Sequence, residues 1–284
     1  MARTEDTKHA DLPALAQAAA AGDKAAAQDI LSALEDDVYG LALRMLGHPA
    51  DAEDAAQEIL VVVLTHLGSF RGESSFRTWV WRIAAHHLSR VRKGRRETIT
   101  FDVLDERLTT GFRDEDSERP NPEADALTHE LRLRCTEAML LSLDREHRIA
   151  YLVGDILHLS SDEAAEVLEV EAATFRKRLS RARERLYDFM RDRCSVYRIG
   201  NPCRCERQFE SAIDRGLIAP ENLYLSKQRT GAAPPALGRA AAEVTDLMRV
   251  AEVIRGPASY LAPAKLTEAL RQLLSSQRLE LLRS

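Results

Sequence analysis

The residues GESSFRTWVWRIAAHHLSRVRKGRR, numbers 72–96, decide how this chain is interpreted. From residue 76 to residue 96 they include seven arginines and lysines and no acidic residue, although the whole chain has a net charge of −5. Phe76, Trp79 and Trp81 lie among these cations. Cations attract phosphate and flat aromatic rings stack on exposed bases, so the stretch is typical of nucleic-acid binding. A solvated basic helix whose tryptophans pack into a core is the alternative.

The composition favours a helical protein with real hydrophobic cores. Apolar residues make up 45% of the 284 residues and aromatic residues 5%, with abundant Ala, Leu, Arg and Glu. No run of about 18 uncharged apolar residues is present, so no membrane span and no membrane partner are expected. The N-terminus lacks the apolar segment of a signal peptide, and four cysteines are too few and too clustered for a disulfide framework. We therefore expect an all-α cytoplasmic protein.

The charges are distributed in blocks. Residues 102–125 hold nine acids and three arginines, whereas residues 172–193 hold eight bases and three acids. This pattern predicts two basic units joined by an acidic linker, in which VLDERL (103–108) forms a helical turn or two. A plain solvated linker and a segment that mimics DNA, shielding the basic units, are both open interpretations.

Between residues 11 and 67 the apolar spacing predicts helices. One covers 11–34 with a break that Asp23 caps, another covers 36–46 and ends at Gly47-His48-Pro49, and Asp51 caps the third, DAEDAAQEILVVVLTHL. Four polar residues of this third helix share one surface: Asp51, Asp54, Gln57 and Glu58. Simple stabilisation of the helix N-terminus by acids is the alternative to a binding role.

The basic stretch itself follows a glycine-containing loop. Ser74 or Ser75 caps its helix, and Phe76 and Val80 are among its apolar members. The other face is polar and charged: Arg77, Trp81, His86 and Arg90. Which tryptophan is buried is not decided by the pattern.

The second basic block ends a helix-turn-helix pattern. Helices are indicated over 126–143 and from Asp144 to Ile156, and then Ser160 or Ser161 with Glu163 forms a capping box for a short helix. The next helix turns Phe175, Leu179, Ala182 and Leu186 inward and its arginines outward. A helix of this kind fits the major groove of DNA. A helical hairpin with a basic solvent face is the alternative.

These motifs resemble a known family. RMLGHPADAEDAAQEIL and FRGESSFRTWVWRIA resemble region two of bacterial RNA polymerase sigma factors of the extracytoplasmic-function (ECF) type, and residues 131–190 resemble sigma region four. The resemblance implies a transcription initiation factor without catalysis of its own. Such a factor binds core RNA polymerase, recognises the minus-thirty-five and minus-ten promoter elements and promotes strand opening. An anti-sigma factor is a further candidate partner.

The resemblance also implies site residues. The helix that docks on the polymerase β′ coiled coil would use Asp51, Asp54, Gln57 and Glu58. The minus-ten strand would be lined by Gly72, Glu73, Ser74, Ser75, Arg77, Trp79, Arg82, His86 and Arg90. The minus-thirty-five element would be read and gripped by Thr174, Phe175, Arg176, Lys177, Arg178, Ser180 and Arg181, in a region that also touches the β flap. The family usually has Asn at His86 and commonly has Gly at His158 and Glu169.

The chain therefore divides into four predicted parts. These are a region-two-like domain (11–97), the acidic linker (98–127), a region-four-like domain (128–193) and a cysteine-containing helical extension (194–284). Within the extension, 226–238 reads as a flexible linker, and 240–255 and 263–283 read as helices.

Three cysteines of the extension, Cys194, Cys203 and Cys205, follow a C-x8-C-x-C pattern. Ordinary cysteines, a structural zinc site and a redox-sensitive thiol pair are all open, and no other cofactor is expected. The alternative functions are accordingly a helix-turn-helix transcription regulator and a zinc- or thiol-dependent protein-binding sensor. An enzyme is disfavoured because the catalytic and nucleotide-binding signatures are missing.

Overall fold

The computed structural model describes residues 11–91, 99–111, 122–220, 223, 229–230, 254 and 259–275. What we call the first helical unit contains four helices and a 3-10 turn at Leu67–Ser69. The helices are α1 (Leu12–Ala20), α2 (Lys24–Leu46), α3 (Pro49–Thr65) and α4 (Phe76–Arg90). Helix α5 (Phe101–Thr110) follows it.

The second helical unit contains α6 (Pro122–Ser142), α7 (Arg145–Tyr151), a π-helical turn (Leu152–Ile156), α8 (Ser161–Leu168) and α9 (Ala172–Arg193). Beyond it lie a 3-10 turn (Cys205–Arg207), α10 (Phe209–Asp214), two-residue strands β1 (Arg229–Thr230) and β2 (Ser259–Tyr260), and α11 (Ala264–Ser275). The strands pair antiparallel, with Arg229 opposite Tyr260. The all-α prediction is confirmed.

The helices at the start of the first unit differ from the prediction at two points. Helix α2 runs without a break from its Asp23 cap to Gly47, which takes a left-handed φ of 69°. The predicted start at residue 36 is wrong because the apolar stripe of α2 continues through that point, with both Leu34 and Val38 buried. Helix α3 begins at Pro49 with His48 as its cap, not at Asp51. Proline suits the first helical position because the N–H it lacks has no partner there.

The linker is more ordered than a plain tether. Helix α5 spans ten residues and packs on α6. Its Phe101 ring lies 5.3 Å from that of Phe189 on α9, and its Asp105 forms an ion pair with Arg193. The plain-linker interpretation is therefore wrong for residues 101–110. The acids between 112 and 121 lie outside the described residues, as do most of 226–238 and 240–255.

One hydrophobic core joins both units. A single cluster of buried side chains extends from Ala16 in α1 to Met190 in α9 and Leu274 in α11. Helices α3 and α4 pack on α2, and α7 and α8 pack on α9. The two units are thus in direct contact, and this contact positions the surfaces described next.

Candidate functional site

Helix α3 presents an acidic face. Asp51, Asp54 and Glu58 are exposed and Gln57 is half-buried, while alanines and Ile59 on the opposite side are buried. Glu58 Oε2 lies 3.3 Å from His87 Nε2 on α4. The structure therefore brings the four predicted residues together on one surface that borders α4.

The loop before α4 presents its predicted residues to solvent. Gly72, Glu73 and Ser75 are exposed and Ser74 is half-buried. Gly72 has a left-handed φ of 73° with open space around it, so glycine is favoured there by backbone conformation and not by crowding. The Ser75 hydroxyl accepts a hydrogen bond from Thr78 N at 3.0 Å and so caps α4.

The two tryptophans of α4 have different environments. Trp79 is half-buried and stacks on Phe76 at a centroid distance of 5.6 Å, with Phe70 at 5.7 Å from it. Trp81 is only 3% exposed. Its expected place on the charged face is wrong, because residue 81 shares a helical stripe with the buried Ala85 and Leu88. Of the two rings, Trp79 is therefore the more accessible to solvent.

Two cations of α4 form ion pairs with acidic residues. Arg77 Nη1 lies 2.7 Å from Asp37 Oδ2, and Arg82 forms an ion pair with Glu166 of α8. His86 and Arg90 are exposed. Helical spacing of three and four places four predicted residues along one side of α4: Trp79, Arg82, His86 and Arg90.

Helix α9 has one buried side and one basic, exposed side. Its inward residues are those the sequence predicts: Phe175, Leu179, Ala182 and Leu186. Five predicted DNA-binding residues are exposed: Thr174, Arg176, Lys177, Ser180 and Arg181. Arg178 is half-buried, with its Nη2 2.8 Å from Glu146 Oε2. The assignment of Phe175 to DNA contact is wrong, because its side chain is 1% exposed and lies in the core.

The turns before α8 and α9 each contain a left-handed residue where the family commonly has glycine. His158 and Glu169 take φ values of 57° and 52°, which cost about 1 kcal/mol each in a residue other than glycine. The predicted capping box is present, with Ser160 N donating to Glu163 Oε2 at 2.9 Å. Sequence reasoning missed the pair formed by Arg183 Nε and Asp155 Oδ2 at 2.9 Å, which holds α9 on the π-helical turn.

The cysteines form a cluster that includes Cys135 of α6, which the sequence pattern missed. Cys194 and Cys203 form a β-bridge, and burial, followed by the neighbouring thiols, raises the pKa of Cys135 well above its usual value. Burial also raises the pKa of Cys194. A buried thiol with a raised pKa is less reactive than an exposed one, so neither Cys135 nor Cys194 is favoured as a redox-sensitive residue. Among the described residues, no group of three or more His, Cys, Asp or Glu is arranged to hold a metal ion.

Comparisons with known proteins agree with this geometry. The Sigma-70 region 2 family model matches residues 30–97, and the Sigma-70 region 4 model matches residues 133–186. The chain is 30% identical over 173 residues to the ECF RNA polymerase sigma factor SigW of Bacillus subtilis, covering 60% of this chain and 92% of that one. The chain belongs to the ECF sigma factors.

A second ECF sigma factor gives a similar match. The ECF RNA polymerase sigma-E factor of Haemophilus influenzae is 30% identical over 177 residues, covering 60% of this chain and 90% of its own length. A solved structure, CnrH in complex with the cytosolic domain of CnrY, matches with a TM-score of 0.44 and 22% identity, over 63% of this chain and 96% of that one.

Membership of this family assigns the general function. This ECF sigma factor is a transcription initiation factor, and sigma factors bind core RNA polymerase and promoter DNA. They are in general regulators of transcription and not enzymes. In the described part of the chain, no helix has the length and apolar character needed to cross a bilayer.

Proposed function

We propose that the acidic face of α3 docks on the β′ coiled coil of core RNA polymerase. The support is that Asp51, Asp54 and Glu58 are exposed side by side on a rigid helix whose other side is buried. Charged groups on such a surface steer association and fix its register. The second unit touches the β flap, and the factor acts in the cytoplasm, where the polymerase transcribes. A separate anti-sigma factor stays a prediction.

The loop and α4 capture the opened minus-ten strand. The single observation that carries this proposal is the half-exposed Trp79 next to a face with Arg82, His86 and Arg90. Unstacking a base costs a few kcal/mol, and stacking on an aromatic ring returns about 1–3 kcal/mol per base. Binding energy can therefore hold the strand open without a nucleotide-driven step.

Helix α9 reads the minus-thirty-five element in the major groove. Its exposed residues Arg176, Lys177 and Arg181 contact phosphates and bases, while Thr174 and Ser180 offer hydroxyls for hydrogen bonding. With these roles, the proposed division of the chain is region two over residues 11–97, the linker over 98–127, region four over 128–193 and the extension over 194–284.

Run-off transcription with core polymerase, together with permanganate reactivity of the opened strand, tests the proposal. Trp79→Ala should bind core polymerase normally but form fewer open complexes, as measured by permanganate reactivity. The expected decrease is about 5- to 150-fold, the range that corresponds to one lost stacking interaction. Asp54→Arg should instead lose retention on immobilised core polymerase, with exposed Asp162→Arg of α8 as the matched control. Normal strand opening by Trp79→Ala would refute the role given to α4.

A further inference from the structure

The two units proposed to read DNA lie against each other in this chain. Helix α8 of the second unit packs across α4 of the first, and the Glu166 carboxylate pairs with the Arg82 guanidinium. Arg82 Nε is shielded from solvent and has no hydrogen-bond partner among the described residues. An arginine of the proposed minus-ten surface is thus occupied and partly desolvated by the domain that should be reading a different promoter element.

Two arginines of α7 reinforce this contact. Arg145 Nη1 donates to Ser89 O at 3.2 Å and to Val91 O at 2.5 Å, at the C-terminal end of α4. Arg148 is 1% exposed, and it donates to Met45 O of α2 as well as to carbonyls at the end of α6. Cations at helix C-termini satisfy orphan carbonyls and complement the helix dipole. The contact between the units is therefore buried and specific.

This closed arrangement cannot engage both promoter elements at once. Elements centred about 25 base pairs apart lie about 85 Å apart along B-form DNA, at 3.4 Å per step. Helix α9 has 22 residues, so its length is about 33 Å, and it follows directly after the helix that touches α4. The distance from α4 to any part of α9 is therefore far below the required span. The units must separate before initiation.

The C-terminal extension contacts both units. Its first part is fastened to α9 and α5, since the Asn201 side-chain amide donates to Arg191 O at 2.8 Å and Gln208 Nε2 donates to Leu108 O at 2.7 Å. The Cys194–Cys203 bridge adds backbone hydrogen bonds between the end of α9 and the extension. This part of the extension thus belongs to the second-unit side of the molecule.

The last part of the extension is fastened to the first unit. The Tyr260 ring lies 4.6 Å from the Arg44 guanidinium, and Ala262 N donates to Asp36 Oδ1 at 2.6 Å. Thr267 Oγ1 donates to Glu35 Oε2 at 3.0 Å. Three leucines of α11 are buried where it packs on α2 and α3: Leu266, Leu270 and Leu274. One chain segment therefore bridges the two units.

We propose that the described parts of the extension, residues 194–220 and 259–275, act as an intramolecular strap that holds the second unit on α4 and keeps the factor closed until core polymerase separates the units. The inference rests on the roles proposed above for α4 and α9. A tethered segment that binds both units raises their effective concentration for each other. The region 4 family model ends at residue 186, so the strap lies beyond the part that the family models describe.

Opening the strap in the full-length protein tests this proposal. Leu270→Asp places a charge in the buried contact with α2 and α3, and Gln272→Asp adds the same charge at an exposed position of the same helix as a control. A compact chain of this length has a radius of gyration of about 19 Å. Solution X-ray scattering should show a rise of several ångström for Leu270→Asp only. Binding of a minus-ten single-stranded oligonucleotide without core polymerase should tighten about tenfold.

Glu166→Gln provides an independent variant, because it removes the charge that pairs with Arg82 without touching the strap. It should also tighten single-strand binding, by a smaller factor, and circular dichroism checks that both variants are folded. If folded Leu270→Asp kept the compact radius and the wild-type affinity, the strap proposal would be overturned. Trp79→Ala in the Leu270→Asp background separates the two proposals. If the expanded chain binds the single strand weakly and with the same affinity whether or not Trp79 is present, the role of α4 is refuted and the strap is kept.

Discussion

The two helices proposed to read DNA differ in how available their cations are. On α9, Arg176, Lys177 and Arg181 are exposed and form no ion pair with any residue in the described part of the chain. On α4, Arg77 and Arg82 both face carboxylates. The closed chain thus leaves the surface proposed to read duplex DNA open and the surface proposed to capture the single strand partly occupied, so the two proposed activities have different requirements for opening.

The largest expected effect separates the two tryptophans of α4. Trp81→Ala should lower the free energy of unfolding by about 3–5 kcal/mol, because it leaves a cavity in the core. Trp79→Ala should cost much less, since its ring is half-exposed. Urea denaturation followed by circular dichroism measures both. Equal losses would contradict the division of α4 into a core tryptophan and a strand-binding tryptophan.

Two glycines with the same backbone conformation sharpen the comparison between buried and open surfaces. A Cβ at Gly47 would meet Leu141 Cδ1 of the second unit at 2.3 Å, whereas a Cβ at Gly72 would meet nothing within 4 Å. Gly47→Ala should therefore cost about 2–3 kcal/mol, from crowding added to left-handed strain. Gly72→Ala should cost only the strain, about 1 kcal/mol. Thermal unfolding of the pair is the measurement, and equal costs would argue against close packing of the units at Gly47.

Within α9, the free and paired arginines should differ in DNA binding. Arg176→Ala should weaken binding to duplex DNA and reduce the slope of log affinity against log salt by about one. Arg178→Ala should have a smaller effect, because Glu146 already pairs with that cation. Fluorescence anisotropy at several salt concentrations distinguishes them. A larger effect of Arg178 would mean that its pair with Glu146 breaks on DNA.

The smallest expected effect is a pH dependence of stability that comes from His87 of α4. Burial lowers the pKa of His87 from its ordinary 6.5, and His86 adds to the lowering while Glu58 opposes it. The unfolded state then binds more protons, so stability is lost as the pH falls below 6.5. The effect is small, because solvent screens a partly exposed group. His87→Gln should flatten the curve of unfolding free energy between pH 5 and 7, whereas His86→Gln, which leaves His87 and its burial in place, should keep most of the slope.

Local structure in this protein followed from local sequence. The caps Asp23, Ser75, Asp144 and Ser160 were predictable because a capping side chain bonds to backbone groups within three residues. The buried stripe of α9 followed from its period. Helix α5 was underestimated, because what stabilises it is packing of Phe101 and pairing of Asp105 with α9, residues far away in the chain.

The sequence by itself determined the all-α class, the helix-turn-helix and the residues of the acidic and basic faces, since helical period, caps and charge are local properties. Only the tertiary structure decided which tryptophan is buried, that Cys135 joins the other thiols, and that the extension contacts both units. These depend on contacts such as Arg82 with Glu166 and Ala262 with Asp36. Such contacts join residues distant in sequence, and no local pattern encodes which distant partners a surface will meet.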